Sequence, residues 1–140
     1  MELPVVKLHP EAKLPAFAHT PDAGMDLYCV EDTTIPAGSW KEVHTGIAVG
    51  IKEGYVGLIW DKSGLARKHG ITVLGGVVDA GYTGELMILL HNISAEDHHF
   101  SKGDKITQML IQKVEHPHLI EVSELSQTQR GTEGFGSTGK

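Results

Sequence analysis

Short apolar runs separated by turn residues make up most of the chain. From residue 26 onward these runs are rich in β-branched and aromatic side chains, and glycine, proline or aspartate stands between them. The stretch with a helical pattern is 62–69, about two turns long. The pattern predicts an all-β sandwich or barrel with about eight or more strands and one short helix.

The predicted strands follow the apolar runs. Within 86–90 the apolar residues do not alternate with polar ones, which indicates a strand buried on both faces, as contact with a neighbouring subunit would allow. An edge strand is predicted at 4–8, and the other strands at 26–30, 33–38, 43–51, 55–60, 71–78, 85–92, 98–100 and 106–114.

Composition narrows the class of protein. At 140 residues the chain is long enough for one domain with a substantial core. A formal net charge of −6 argues against sequence-independent nucleic-acid binding, which needs a basic surface. Cys29 is the single cysteine, which indicates a reducing compartment, and no apolar run reaches membrane-spanning length. We therefore expect a cytoplasmic protein that binds neither nucleic acid nor a membrane.

The C-terminal tail, 130–140, differs in composition from the rest of the chain. It contains Arg130, four glycines that include Gly136, the aromatic Phe135, and the adjacent hydroxyls of Ser137 and Thr138. Glycine-rich backbone binds anions, and guanidinium and hydroxyl groups donate to phosphate, so the tail is typical of a flap over a phosphorylated, ring-bearing ligand. The alternative is a disordered terminus. We divide the chain into a β domain, 1–129, and a flexible flap, 130–140.

Two stretches could bind ions. Asp26 stands at a strand start after a glycine turn, where its carboxylate either orders waters around a hard cation or simply caps the strand. Lys62, Ser63 and Gly64 begin the predicted helix, where they form either an anion site or an ordinary N-cap.

Two further stretches could carry catalysis. Asp79 directly follows an apolar strand in a glycine-dense hairpin, so it either accepts a proton from an attacking water or forms the turn, with Tyr82 packed on the sheet. Gln108 lies on a strand, as a buried amide partner or as a water-orienting group. The spacing of histidines and Cys29 does not indicate a zinc site, and no serine-hydrolase elbow is present.

Taken together and in order, these stretches resemble the five motifs of the trimeric dUTPase family. The match covers nearly the whole chain. The motifs correspond to 23–28 (AGMDLY), 63–66 (SGLA), 76–84 (GVVDAGYTG), 103–111 (GDKITQMLI), and 130–131 (RG) with 134–139 (GFGSTG).

The resemblance implies a jelly-roll β fold and a homotrimer whose active sites are each built from several subunits. It also implies hydrolysis of dUTP to dUMP and pyrophosphate with Mg²⁺. Asp79 would activate the attacking water, Gln108 would help to place it, and Asp26 would hold waters of the magnesium shell. Tyr82 would lie against the deoxyribose and exclude a 2′-hydroxyl. The remaining expected substrate contacts are Lys62, Ser63 and Gly64 for phosphate, Gly76 and Val78 for uracil, and Arg130, Phe135, Gly136, Ser137 and Thr138 in the closing flap.

Two departures from the family pattern and two alternative functions accompany this interpretation. Asp61 and Lys62 stand where the family usually has Pro-Arg, and lysine lacks the bidentate fork of arginine. Gly81 stands at a position that is often acidic. The alternatives are a dCTP deaminase or bifunctional relative of the same fold, and a non-catalytic nucleotide-sensing module.

Overall fold

The computed structural model describes residues 1–132 and 134 and shows an all-β fold with one short helix. The helix, α1, covers Ser63–His69 and ends at Gly70, which adopts a left-handed conformation and donates its N–H to the last turn. The strands are β1 (Val5–Lys7), β2 (Met25–Tyr28), β3 (Thr33–Ile35), β4 (Trp40–His44), β5 (Ile47–Val49), β6 (Tyr55–Trp60), β7 (Ile71–Leu74), β8 (Val77–Val78), β9 (Met87–Asn92), β10 (His98–Phe100) and β11 (Lys105–Lys113).

The strands form four small antiparallel sheets. The largest has the order β2-β11-β6-β8, and a three-stranded sheet has the order β4-β9-β7. Two further pairs, β1-β5 and β10-β3, complete the set within the described residues. Most neighbours in these sheets are distant in sequence, so the expected jelly-roll-like class is confirmed by pairing as well as by strand content.

Apolar side chains from all of these sheets meet in one core. The largest fully buried members include Phe100, Leu27, Leu90, Ile106 and Met109. Truncating one of these large side chains to alanine costs about 2–5 kcal/mol, so the core holds the site-bearing strands in fixed register.

Glycines divide two of the predicted strands. Predicted strand 43–51 is interrupted at Gly46, where φ is 69°, and predicted strand 71–78 is interrupted at Gly75 and Gly76, where φ is 76° and 109°. Positive φ suits glycine and breaks regular pairing. The second interruption creates β8, the short strand that leads into Asp79.

The single chain buries one face of 86–90, and the cover of the other face by a neighbouring subunit stays a prediction. In β9 Ile88 and Leu90 are buried, whereas Met87 is 44% exposed and Leu89 is half-buried. One face of β9 therefore joins the core, and the other lines a surface cavity.

Beyond β11 the described chain has no further strand or helix. This segment, 114–132, carries apolar side chains in solvent: Leu119 and Leu125 are 86% and 85% exposed. No described helix has the length and apolar character needed to span a membrane.

Candidate active site

A buried carboxylate sits among lysines at the edge of the largest sheet. Asp26, on β2, is 3% exposed. Its Oδ1 accepts a hydrogen bond from Lys62 Nζ, and its Oδ2 lies 2.6 Å from Lys105 Nζ in an ion pair. Lys105 begins β11, the neighbour of β2, so sheet pairing rather than sequence proximity brings it here.

These charges set the protonation state of Asp26. Burial alone would raise the pKa of its carboxyl, but hydrogen bonding and charge from Lys105 and Lys62 lower the pKa below its ordinary value. The hydrogen bond to Asp26 and the charge of that carboxylate also raise the pKa of Lys105. The cluster of one carboxylate and two ammonium groups therefore carries a net charge of about +1 near neutral pH, which suits a phosphate.

Gln108 lies next to this cluster. On β11 it pairs with Asp26 of β2 and with Trp60 of β6, and its Nε2 donates to the backbone oxygen of Asp61 at 2.8 Å. A Cβ added at Gly24 would stand 2.2 Å from Gln108 Oε1. Gly24 is therefore the residue that leaves room for the Gln108 amide, and both line a cavity of about 500 Å³ with Asp26 and Lys62.

The start of α1 explains one departure from the family pattern. Asp61 accepts from Thr72 Oγ1 at 2.9 Å and from Val73 N at 2.6 Å, so its carboxylate ties the helix entry to β7. Lys62 is the N-cap and provides no side-chain cap, so the alternative that Ser63 is an ordinary N-cap is wrong. Ser63 and Gly64 are exposed in the first turn, close to the Asp26 cluster through their neighbour Lys62.

Asp79, Tyr82, Gly76 and Val78 come together elsewhere. They line a cavity of about 250 Å³ between β8 and β9. Ile59 N donates to Gly76 O at 2.7 Å, and a Cβ at Gly76 would stand 2.8 Å from Ile59 O, so only glycine permits this close approach. The other departure, Gly81, has φ of 86°, a region that glycine populates freely.

Two neighbours of the site were missed by sequence reasoning. Lys105 reaches Asp26 through strand pairing, which a motif at 103–111 does not reveal. Glu85 lies near the end of 79–86, which is a loop between strands of two different sheets rather than the predicted hairpin. Its backbone oxygen accepts from Tyr82 Oη at 2.9 Å, and its carboxylate binds His44 and Gly46. The acidic residue directly before an apolar strand was the available signal for Glu85.

One chain does not bring Asp79 and Gln108 together. Strand β6 lies between them, with Gln108 opposite Trp60 and Val78 opposite Gly57. At about 4.8 Å between strands and about 3.4 Å per residue, the Cα atoms of Val78 and Gln108 are about 14 Å apart, and Asp79 is further along. Within the described chain, the cavity at Asp79 and the cavity at Asp26 share no lining residue.

Part of the expected flap is outside the described residues. Arg130 is exposed near the end of the described chain, and Gly131 N donates to Thr128 at 3.1 Å. The predicted contacts Phe135, Gly136, Ser137 and Thr138 lie outside the part of the chain that the structure describes.

The donor set around Asp26 does not fit a metal ion bound directly by protein. The described residues contain no group of three or more histidine, cysteine, aspartate or glutamate side chains placed to hold one. The two lysines around Asp26 also repel a bare cation. A cation whose charge is already compensated by a bound polyphosphate would meet no such barrier, and Asp26 could then accept hydrogen bonds from its waters.

Comparison with known sequences gives one consistent family. The sequence profile of the dUTPase family matches residues 10–139. A deoxyuridine 5′-triphosphate nucleotidohydrolase of Wolinella succinogenes is 45% identical, with 100% of this chain and 95% of that protein covered. The protein of the same name from Nautilia profundicola is 46% identical over the whole of both chains.

Solved structures agree with the sequence comparison. The dUTPase of Staphylococcus bacteriophage 80alpha with dUPNHPP superposes with a TM-score of 0.94 at 30% identity, covering 99% of each chain. A mutant dUTPase of phage phi11 of S. aureus, described with a structural Mg(II) ion, gives a TM-score of 0.84 at 27% identity over 91% of this chain and 100% of that one.

Proposed function

Because the chain belongs to the dUTPase family, we propose that it hydrolyses dUTP to dUMP and pyrophosphate in sites formed between copies of the chain. The observation that carries this proposal is the division of the site residues into two clusters. Each cluster holds half of the required chemistry, and the strand register keeps them apart within one chain.

The cluster at Asp79 supplies the base and the nucleoside pocket. Asp79 takes a proton from water while the water oxygen attacks the α-phosphorus, and the bond from that phosphorus to the bridging oxygen breaks to release pyrophosphate. The cavity beside it is lined by backbone at Gly76 and Val78, which can read the uracil edge, and by Tyr82, which can cover the sugar.

The cluster at Asp26 supplies the phosphate site. Lys62, with Ser63 and Gly64 in the adjacent helix turn, contacts the phosphates, while Gln108 orients the attacking water that Asp79 of another copy activates. Lys62 leaves Asp26 when it moves to phosphate, so Asp26 remains charged and free to hold waters of an incoming cation. Positioning and charge neutralisation are the main requirements of this reaction.

Mg²⁺ would enter this scheme with the triphosphate of dUTP. When bound, it would supply charge neutralisation on the phosphates, which favours departure of pyrophosphate. The role of this chain is to present Asp26 to the hydration shell. The Mg(II) ion named for the phage phi11 enzyme belongs to that protein.

We propose a homotrimer as the assembly, as the family resemblance implies. Exposed apolar side chains support association: Trp60 and Val77 are 58% and 68% exposed beside the two cavities, and Leu119 and Leu125 project from the final segment. The open face of β9 would then be covered by a neighbouring copy. Exposed apolar side chains favour association but do not give the number of copies. Sedimentation or mass photometry of the full chain measures that number.

We also propose the boundary between the β domain, 1–129, and the flap, 130–140. Arg130, Phe135, Gly136, Ser137 and Thr138 would close over the bound nucleotide and exclude water. The cytoplasm remains the predicted compartment, since Cys29 is buried and has no disulfide partner.

The experiment that tests the function is pyrophosphate release from dUTP, dCTP, UTP and dTTP, each with Mg²⁺, by the full chain. We expect hydrolysis of dUTP in strong preference to the other three. Release from dCTP with a uracil product would favour the bifunctional relative instead. Tight dUTP binding without release would favour the nucleotide-sensing module.

A further inference from the structure

We propose that Glu85 is a positioning residue that fixes the Tyr82 ring and thereby sets the preference for deoxyribose over ribose nucleotides. This inference rests on the proposed function, in which Tyr82 covers the sugar. Glu85 itself need not touch the substrate.

The Tyr82 ring is held by the end of its own loop, 79–86. Tyr82 N donates to Asp79 O at 3.3 Å, and Tyr82 Oη donates to the backbone oxygen of Glu85 at 2.9 Å. The ring lies directly over Gly84, where an added Cβ would stand 2.5 Å from the hydroxyl oxygen. The position of the ring therefore follows the position of the Glu85 carbonyl.

The Glu85 carboxylate ties that carbonyl to the loop between β4 and β5. Its Oε1 accepts from Gly46 N at 2.8 Å, and its Oε2 lies 3.1 Å from His44 Nδ1. Gly46 is buried, so this carboxylate satisfies a backbone donor that water does not reach. The side chain thus acts as a bridge of two hydrogen bonds from the loop 79–86 to His44 and Gly46.

The residues next to Gly46 and Glu85 in the sequence also form hydrogen bonds between the same two segments. Thr45, 1% exposed, donates through Oγ1 to Leu86 O at 2.7 Å, and Leu86 N donates to Ile47 O at 2.8 Å. These bonds fix the start of β9, and the Glu85 carbonyl also accepts from Met87 N at 3.1 Å. All of these restraints act from the β9 side. The Glu85 carboxylate adds the side-chain restraint that ties this carbonyl to the loop between β4 and β5.

A small movement of the ring is sufficient to change selectivity. A 2′-hydroxyl is excluded only if the ring stays in van der Waals contact with the sugar, and displacements of about 1 Å alter such discrimination strongly. Loss of the anchor should therefore relax the exclusion of UTP more than it lowers turnover of dUTP. A general loss of structure would lower both.

The test measures kcat/KM for dUTP and for UTP with the full chain and three variants of Glu85. Glu85→Ala removes both carboxylate contacts. Glu85→Gln retains an acceptor for Gly46 N and a donor for neutral His44. Glu85→Asp keeps the charge but shortens the reach, and it provides the test if Glu85→Ala does not fold. Glu42→Ala is the matched control, because Glu42 lies 3.8 Å from the other ring nitrogen of His44 and does not bridge to Gly46.

We expect Glu85→Ala to raise the UTP-to-dUTP ratio of kcat/KM by about tenfold or more, while Glu85→Gln and Glu42→Ala stay within about twofold of the unmodified chain. A ratio unchanged in folded Glu85→Ala, or in Glu85→Asp should that variant alone fold, would overturn the proposal. Failure of the unmodified chain to prefer dUTP would count against the proposed function instead, so the two failures are distinguishable.

Discussion

The two clusters of the site are built by different physical means. The Asp26 cluster is made of charged side chains from β2, β11 and the entry to α1, gathered around one buried carboxylate. The Asp79 cluster is made mainly of backbone, in a loop between β8 and β9 whose shape depends on glycines and on the Tyr82–Glu85 contact. The first is suited to bind phosphate, and the second to recognise a nucleoside by shape.

This difference determines how each cluster should respond to change. A charged cluster can lose one member and rearrange, because lysine side chains are long and partly solvated: those of Lys62 and Lys105 are 28% and 45% exposed. A pocket built from backbone has no long side chain that could move to replace a lost contact. Substitutions in the loop at Asp79 should therefore act on chemistry and selectivity, and those at the lysines around Asp26 on affinity.

The largest effect is expected at Asp79. Asp79→Asn removes the proton acceptor while keeping the size of the side chain, so turnover of dUTP should fall by roughly 10³-fold or more with nucleotide affinity nearly intact. Single-turnover kinetics and calorimetric titration with a non-hydrolysable analogue measure the two quantities. Turnover close to that of the unmodified chain would remove Asp79 from the base role.

The second-largest effect is expected at Lys62, and it tests whether the charge of this side chain contributes to dUTP binding. Lys62→Met removes a charged donor worth about 1.5–3 kcal/mol, so KM for dUTP should rise roughly 10- to 100-fold with a smaller change in kcat. Lys62→Arg restores the residue usual in the family and serves as the control, with KM at or below that of the unmodified chain. Equal KM values in all three proteins would show that Lys62 stays on Asp26 and does not reach phosphate.

A smaller effect is expected at Gly24, where a substitution changes packing and leaves the charges of the site unaltered. Gly24→Ala places a methyl group against Gln108 Oε1, which is the far end of a flexible side chain and can move. We expect kcat to fall about tenfold because the water loses its orientation, while the thermal midpoint shifts by only a few degrees. Gly54→Ala is a control of similar chemistry, since an added Cβ there meets no neighbour, although its φ of 80° adds some strain. Equal kcat in Gly24→Ala and the unmodified chain would contradict a role for the Gln108 amide.

The smallest effect is a dependence of stability on pH. The hydrogen bond and charge from Glu85 raise the pKa of His44, against the opposing effect of burial. The stabilisation is therefore fully present below the unfolded pKa of histidine, about 6.5, and is lost as pH rises through the higher folded value. Because His44 is 40% exposed, solvent screening limits it to less than about 1 kcal/mol. Urea unfolding at pH 5.5 and pH 8, compared between the chain and His44→Gln, measures it. If the free energy of unfolding changed equally between the two pH values in both proteins, a group other than His44 would cause the dependence.

Much of the fold was predictable because its signals are local. Strand β6 and strand β10 have the predicted bounds, 55–60 and 98–100, and the single helix lies within 62–69. The divided strands were not foreseen at Gly46 and Gly75–Gly76, since glycine is compatible with strand or turn until its neighbours set φ. The burial of the second face of β9 stays a prediction, because an apolar run does not state what covers it.

The residues near the site divide in the same way. Asp26, Asp79, Tyr82 and Gln108 stand in stretches whose composition already indicated chemistry. Lys105 and Glu85 carry no such mark, because their importance arises from contacts with residues 79 and 41 positions away in the chain. The periodicity of a sequence carries no information about contacts between residues so far apart in the chain.

The sequence by itself determined the β class, and it predicted the glycine-rich tail as a flap and the groups that would act on a nucleoside triphosphate, because these depend on residue type and near-neighbour spacing. Only the tertiary structure decided that Asp26 lies between two lysines, that Tyr82 is anchored through Glu85, and that β6 separates Asp79 from Gln108. Strand pairing sets those distances, and pairing between strands remote in sequence is fixed by packing of the whole core rather than by any local pattern.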